Sequence, residues 1–252
     1  MRLTVIMPLY NRQHFVEMAL LSLLRQRTVC NLDVLVVDDG STDEGPERVR
    51  ELANHYTSIR MITTPNQGVT KARNVGLRNL PADCELVTFL DSDDISPWGR
   101  LETDLAVLEQ FPGVQFTYGR MAVVDQIDPT TYEPVEGAVR ATLRGIQLSA
   151  AIFRASYLEK VGMFDESFEQ AEDTDLLFRA FEIGGPYRLT DTVCVYYRQH
   201  DGNLTRDTAE VRKSFCRALY KSMARRRRNP QLHLLDDIFD VRPLAQAMAR
   251  AA

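Results

Sequence analysis

Five short runs rich in β-branched and aromatic residues, LTVIM (3–7), DVLVVD (33–38), IRMITT (59–64), ELVTFL (85–90) and VQFTYG (114–119), punctuate the first half of the chain. Between them lie segments with helical spacing of apolar residues, over 13–27, 43–55, 69–80 and 97–111. That alternation leaves few architectures open. It predicts an α/β fold with a mostly parallel central sheet and helices on both faces. In such sheets ligands bind beyond the carboxyl ends of the strands, so chemistry belongs to the strand-to-helix turns.

Those turns read PLYNR, DDGSTD, PNQGVTKARNVG and DSDD. Taken singly they have ordinary structural readings. DDGSTD is a good turn with Ser41 or Thr42 as a helix N-cap, and NQG is a turn whose Gly68 tolerates positive φ. Four polar turns facing one crevice exceed what a structural edge needs. The densest is FLDSDDISPW (89–98), with Asp91, Asp93 and Asp94 behind an apolar strand. One aspartate can cap the helix beginning near Pro97, but capping does not need three. A hard dication, which takes oxygen ligands from one or two carboxylates, accounts for them better.

With 252 residues, 44% of them hydrophobic, the chain can build one large domain or one domain with a tail. Its net charge of −5 argues against bulk nucleic-acid binding. Cys30, Cys84, Cys194 and Cys216 are scattered without a C-x-x-C pair, so neither zinc nor a disulfide framework is expected. No stretch reads as a signal peptide or a bilayer span, which predicts a cytoplasmic protein. Beyond residue 120 come a polar loop (125–137), a helix from about 173 to 183 ending at Gly184 and Gly185, strand-like YRLT and VCVYYRQH, and a basic helix over roughly 206–228 with a short tail.

The ordered set VIMPLYNR, VVDDGSTD, NQGVTKARNVGL, FLDSDD, GMFDESF, EDTDLLFR and YYRQH resembles the family 2 glycosyltransferases over about residues 3 to 200. The resemblance implies a GT-A (Rossmann-like) fold and transfer of a sugar from a nucleotide-diphosphate donor to an acceptor hydroxyl, inverting the anomeric centre, with Mn²⁺ or Mg²⁺ as cofactor. It implies a transferase domain over 1–205, with a nucleotide-binding part (1–120) and an acceptor part (121–205), followed by a basic helix and tail (206–252).

Matched residue by residue, the resemblance implies that Asp91, Ser92 and Asp93 form a D-x-D motif. Asp91 would meet the ribose and Asp93 the metal; Asp94 is a further candidate for either task. His200 falls where relatives carry a histidine at the metal or diphosphate, and Arg198 is a candidate phosphate contact. Pro8, Tyr10, Asn11, Asp39 and Arg73 would bind the nucleotide-sugar, with Tyr10 near the base and Asp39 accepting from a ring N–H, which suits UDP. Arg12 would help to position these groups. Asp38 is expected to brace its turn as readily as to touch ligand. Glu172 and Asp173 match an E-D pair whose aspartate is the general base. Trp98 is a candidate for stacking on a sugar or for core packing.

Other classes fit less well. A dinucleotide-dependent oxidoreductase needs a Gly-rich first turn, and no glycine precedes Gly40. A sugar-phosphate nucleotidyltransferase would carry a Gly-rich basic first loop, and a non-catalytic binding module would not need both acidic sets. Acceptor contacts are expected from 125–150, with a sugar or lipid-linked acceptor. Lys213, Arg217, Lys221 and Arg225 form a cationic stripe offset from an apolar stripe of Phe215, Leu219 and Met223. Two placements follow: peripheral contact with the inner face of an anionic membrane through 213–228, or an apolar stripe packed on the domain with the cations facing water.

Overall fold

The computed structural model describes residues 1–203, 208–233 and 238–240. The first half is the expected alternation: β1 (Arg2–Leu9), α1 (Val16–Leu24), β2 (Asn31–Asp38), α2 (Gly45–His55), β3 (Ile59–Thr63), α3 (Val69–Arg78), β4 (Leu86–Phe89) and α4 (Arg100–Gln110). Strands β3, β2, β1 and β4 lie side by side in parallel. Leu3 to Leu9 in β1 and Leu32 to Asp38 in β2 are buried, as central strands covered on both faces must be.

Beyond β4 the sheet becomes mixed. The chain continues through β5 (Phe116–Val124), β6 (Val139–Leu143), β7 (Ala151–Arg154), α5 (Ala155–Val161), α6 (Glu172–Glu182), β8 (Tyr187–Arg198) and α7 (Thr208–Arg228). Strand β7 inserts antiparallel between β4 and β5, β6 pairs antiparallel with β5, and β8 runs parallel to β5. Strands β6 and β7, five and four residues long, are too short for periodicity to reveal. YRLT and VCVYYR join into one strand, because register shifts around Arg120 accommodate the polar Asp191 and Thr192 between them.

Helix α1 is shorter than its periodicity suggests, since residues 13–15 belong to the preceding loop. Gln13 N–H donates to Asp43 Oδ2 at 2.8 Å, and Glu44 N–H donates to Gln13 Oε1 at 3.0 Å, tying the first strand-end loop to the second. Helix α3 lies close on β1 because it carries Gly76: a Cβ there would stand 2.5 Å from Ile6 Cγ2. That close approach sets the height of Arg73, one turn earlier on the same helix.

Helix α7 reverses the orientation expected of it. Arg217 donates to the Ser167 carbonyl at 2.7 Å, Lys221 pairs with Asp165, and Arg225 bonds Asp175 at 2.6 Å and Glu182 at 2.8 Å. Both Arg217 and Lys221 also lie over the Phe168 ring. From Arg217 to Arg225 the cationic stripe is therefore turned toward α6 and the loop before it, with the stems of Arg217 and Lys221 covering an aromatic ring, whereas Lys213 stays exposed and pairs with Glu210 of its own helix. Leu219 and Met223 are exposed, while Phe215 packs beside Phe178. Ile238 and Phe239 pack into the part of the core that holds Tyr118 and Phe181, and the tail from residue 241 lies outside the described residues.

Candidate active site

The strand-end loops meet at one edge of the sheet. At the end of β1, Pro8 is buried opposite Val37, Tyr10 is 44% exposed, and Asn11 adopts a left-handed φ of 51°. Asn11 Oδ1 accepts from Thr42 N–H at 2.8 Å, and Asn11 N–H donates to Ser41 Oγ at 3.0 Å. That exchange fixes the loop from which the Tyr10 ring projects into solvent.

At the end of β2 the two aspartates divide their work. Asp38 accepts from Ser41 N–H at 3.0 Å and braces its turn. Asp39 accepts from Gln67 N–H at 2.9 Å and Gly68 N–H at 2.7 Å, one on each oxygen, so it holds the loop that opens α3. Oδ1 also accepts from the Thr64 hydroxyl at 3.4 Å, so the capacity for a further donor lies on Oδ2.

Arg73 is the hinge of the site. Its guanidinium, 5% exposed, bonds Asp91 Oδ1 at 2.6 Å with one nitrogen and Glu172 Oε1 with the other. The aspartate after β4 and the acidic start of α6 are thereby joined through one cation, although 81 residues separate them in sequence. Burial pushes the Glu172 carboxyl up to about 7, against the opposing pull of Arg73. Asp91 and Glu172 in turn raise the already high pKa of Arg73 against the effect of its burial.

Asp93 faces a second cationic group. Arg12 Nε donates to Asp93 Oδ2 at 2.8 Å, and His200 Nε2 lies 3.1 Å from the same oxygen. Burial opposes ionisation of Asp93, but the bonds from His200 and Arg12 outweigh it and hold the carboxyl below its usual range. His200 stacks on Phe15 with ring centroids 4.3 Å apart, which fixes the imidazole plane. Nothing in the sequence singles out Phe15 as a support; only its apolar character within the polar NRQHF run is a signal.

Two residues assigned to ligand by resemblance are engaged elsewhere. Asp94 is 1% exposed, accepting from Arg198 N–H at 3.1 Å and Gln147 Nε2 at 3.1 Å, so it anchors the turn from beneath instead of facing a cation. Burial, then the charges of Asp93 and Asp91, raise its pKa well above the usual value. Arg198 donates to the Asp93 carbonyl and covers the Phe15 ring at 4.9 Å, which makes it a brace. Ser92 is buried in the same turn. Trp98 neither joins the core nor reaches these residues: it is 65% exposed, with the Arg25 guanidinium 5.7 Å from its ring.

Asp173 lies in the first turn of α6, after Ala171 at a left-handed φ of 65°. A non-glycine residue there is strained, and such strain gathers at functional sites. Asp173 Oδ1 accepts from Thr174 N–H at 2.6 Å, while Oδ2 has no hydrogen bond among the described residues. Burial raises its pKa above the ordinary carboxylate value, opposed by Arg73.

Among the described residues no group of three or more His, Cys, Asp and Glu side chains is close enough to hold a metal unaided. Asp93 with His200 offers an oxygen and a nitrogen at one point. That set fits Mg²⁺ or Mn²⁺, which draws its remaining ligands from phosphate and water.

The sequence profile described as "Glycosyl transferase family 2" matches residues 4–158. The chain belongs to that family. An uncharacterized glycosyltransferase of Haemophilus influenzae is 30% identical over 226 residues, covering 84% of this chain and 74% of the relative. One of Rickettsia conorii is 28% identical over 209 residues, covering 78% of this chain. The chain spans 34% of that Rickettsia relative and 48% of another Haemophilus relative. Among solved structures, Staphylococcus aureus TarS 1-349 in complex with UDP-GlcNAc superimposes with a TM-score of 0.66 at 24% identity, covering 87% of this chain and 66% of TarS. The Pyrobaculum calidifontis mannosyltransferase PcManGT, in complex with GDP-Man and Mn²⁺, gives 0.62 at 22%, covering 99% of this chain and 69% of that one. The family 2 member thus has the GT-A architecture, with a sheet of eight strands.

Proposed function

We propose that this family 2 member is an inverting glycosyltransferase that moves a sugar from a nucleotide-diphosphate donor, a UDP-sugar first among them, to an acceptor hydroxyl. The observation that carries this reading is the Arg73 bridge, which joins the Asp91 turn to the Glu172–Asp173 helix start. Donor-side and acceptor-side carboxylates then act in one site.

In this reading Tyr10 offers its exposed ring to the base, Asp39 accepts from a ring N–H, and Asp91 with Arg73 meets the ribose. Asp93 and His200 would hold Mn²⁺ or Mg²⁺, whose charge neutralises the diphosphate as it departs. Asp173 Oδ2, without a partner among the described residues, takes the proton of the attacking hydroxyl. The acceptor oxygen bonds to the anomeric carbon as the bond from that carbon to the phosphate oxygen breaks, with the electron pair leaving on the diphosphate. Attack opposite the leaving group inverts the centre. The raised pKa of Asp173 matches it better to this proton transfer than an ordinary carboxylate.

TarS is crystallised with UDP-GlcNAc and PcManGT with GDP-Man, so the panel that tests this reading includes both donors. Incubation with UDP-sugars and GDP-Man in Mn²⁺, with a range of sugar and lipid-linked acceptors, should release the nucleoside diphosphate from one donor class. A thermal shift by the same donor should accompany it. Release from no donor, with no thermal shift from any of them, refutes the reading.

A further inference from the structure

We propose that the outward face of α7 is a docking surface for an anionic lipid bilayer. The inward cations are spoken for: Lys221, Arg225 and Arg226 face Asp165, Asp175 and Glu182. The opposite face carries Cys216, Leu219, Tyr220 and Met223, all exposed, with Tyr220 at 71%. Arg212 stands exposed one turn before this strip, and Arg227 and Arg228 stand exposed after it.

Three features select a bilayer as the occupant. Charge is the first: apart from the inward cations, the exposed face carries Arg212, Lys213, Arg227 and Arg228, with Glu210 pairing Lys213 at its start, so cations flank the apolar strip on both sides. The second is the order of groups along the face, apolar side chains at the centre with arginines at both ends. Arginine stems can then lie on the apolar boundary while the guanidinium groups reach lipid phosphates. The third is shape, since α7 is a continuous helix of 21 residues. At a rise of about 1.5 Å per residue it presents a rod of roughly 30 Å, suited to lying along a surface.

Helix α7 also packs on α6, whose first turn holds Asp173. Docking through α7 would therefore hold the acceptor side of the molecule near the lipid surface. No helix among the described residues is long and apolar enough to cross a membrane. This face of α7 carries none of the proposed site residues, so lipid binding and sugar transfer can be lost independently.

The test is co-sedimentation of the full chain with vesicles of equimolar phosphatidylglycerol and phosphatidylcholine, against vesicles of phosphatidylcholine alone. Binding is expected only to the anionic vesicles and should weaken with added salt. Each cation near an anionic leaflet is worth a factor of about five, so Arg227→Gln with Arg228→Gln should lower partitioning about 25-fold. Combined Leu219→Ser, Tyr220→Ser and Met223→Ser should lower it at least as far, with circular dichroism unchanged. As an independent measure, Tyr220→Trp in a Trp98→Phe background should show a blue-shifted emission on adding anionic vesicles. No binding to anionic vesicles, or binding unaffected by both sets, overturns the proposal. So does sedimentation showing that the serine set abolishes self-association while vesicle binding is absent, which would assign the face to a second copy of the chain.

Discussion

Arg12 Nε stands 2.8 Å from Asp93 Oδ2, the oxygen that His200 Nε2 approaches from 3.1 Å. A cationic side chain therefore already neutralises the carboxylate proposed to bind the metal. A second cation arriving at Asp93 would be repelled by Arg12 unless a diphosphate accompanied it. Arg12→Gln should tighten Mn²⁺ binding without nucleotide by about tenfold, a modest effect for removing one charge a few ångströms away. Electron paramagnetic resonance titration of free Mn²⁺ measures this, and unchanged affinity would remove Arg12 from the account.

Replacing Asp93 has the opposite consequence. Asp93→Ala should abolish the gain in UDP affinity that Mn²⁺ brings to the wild type, leaving metal-free affinity nearly as before. Calorimetric titration in EDTA and in Mn²⁺ gives both values. Equal UDP affinity of the wild type in the two buffers would refute the metal role of Asp93.

Asp173→Asn keeps the shape of the first turn of α6 and removes the base. Turnover should fall by about 10² to 10⁴, the usual worth of a positioned general base, with donor affinity retained. Turnover within a few-fold of wild type would reduce Asp173 to a helix-terminal charge.

The pH profile should carry the mark of the buried pair. Burial raises the pKa of both Glu172, to about 7, and Asp173. The base works ionised, so kcat/KM should fall as pH drops through an apparent pKa above the ordinary carboxylate range, a value belonging to the pair. Glu172→Gln removes a neighbouring negative charge and leaves Arg73 to Asp173, so the acid limb should move to lower pH. A limb that stays in place would uncouple the two carboxyls.

Arg73→Met leaves Glu172, whose side chain is 6% exposed, without its cation. Breaking one side of a buried pair should destabilise the fold by about 3–5 kcal/mol, read from urea unfolding. Adding Glu172→Gln should recover part of that loss. Full additivity of the two changes would mean that the bridge contributes little.

How much of this was legible in the chain depended on the range of the interaction. The parallel half of the sheet follows from local periodicity, because each strand and helix buries its own apolar residues, and Leu3 to Leu9 announce a central strand without reference to anything distant. The polar turns were legible for the same reason: Asp38, Asp39, Asp91 and Asp93 stand at strand ends fixed by the strands before them. The short strands β6 and β7 were not, since four or five residues carry too little period and their pairing with β4 and β5 is non-local.

Side-chain commitments were decided by tertiary structure alone. Resemblance gave Asp91 to the ribose and Asp93 to the metal and left Asp94 open for either task; folding put Asp91 on Arg73, Asp93 between Arg12 and His200, and Asp94 under Gln147 and Arg198. Three neighbouring carboxylates thus acquired three environments and two opposite pKa shifts, with Asp93 lowered and Asp94 raised. Helix α7 gives the same lesson at larger scale. Its two stripes were visible in sequence, but which one faced inward depended on Asp165, Asp175 and Glu182 lying against it. Periodicity fixes which residues share a face, whereas the partner across the interface, brought there by the rest of the fold, decides which face is buried.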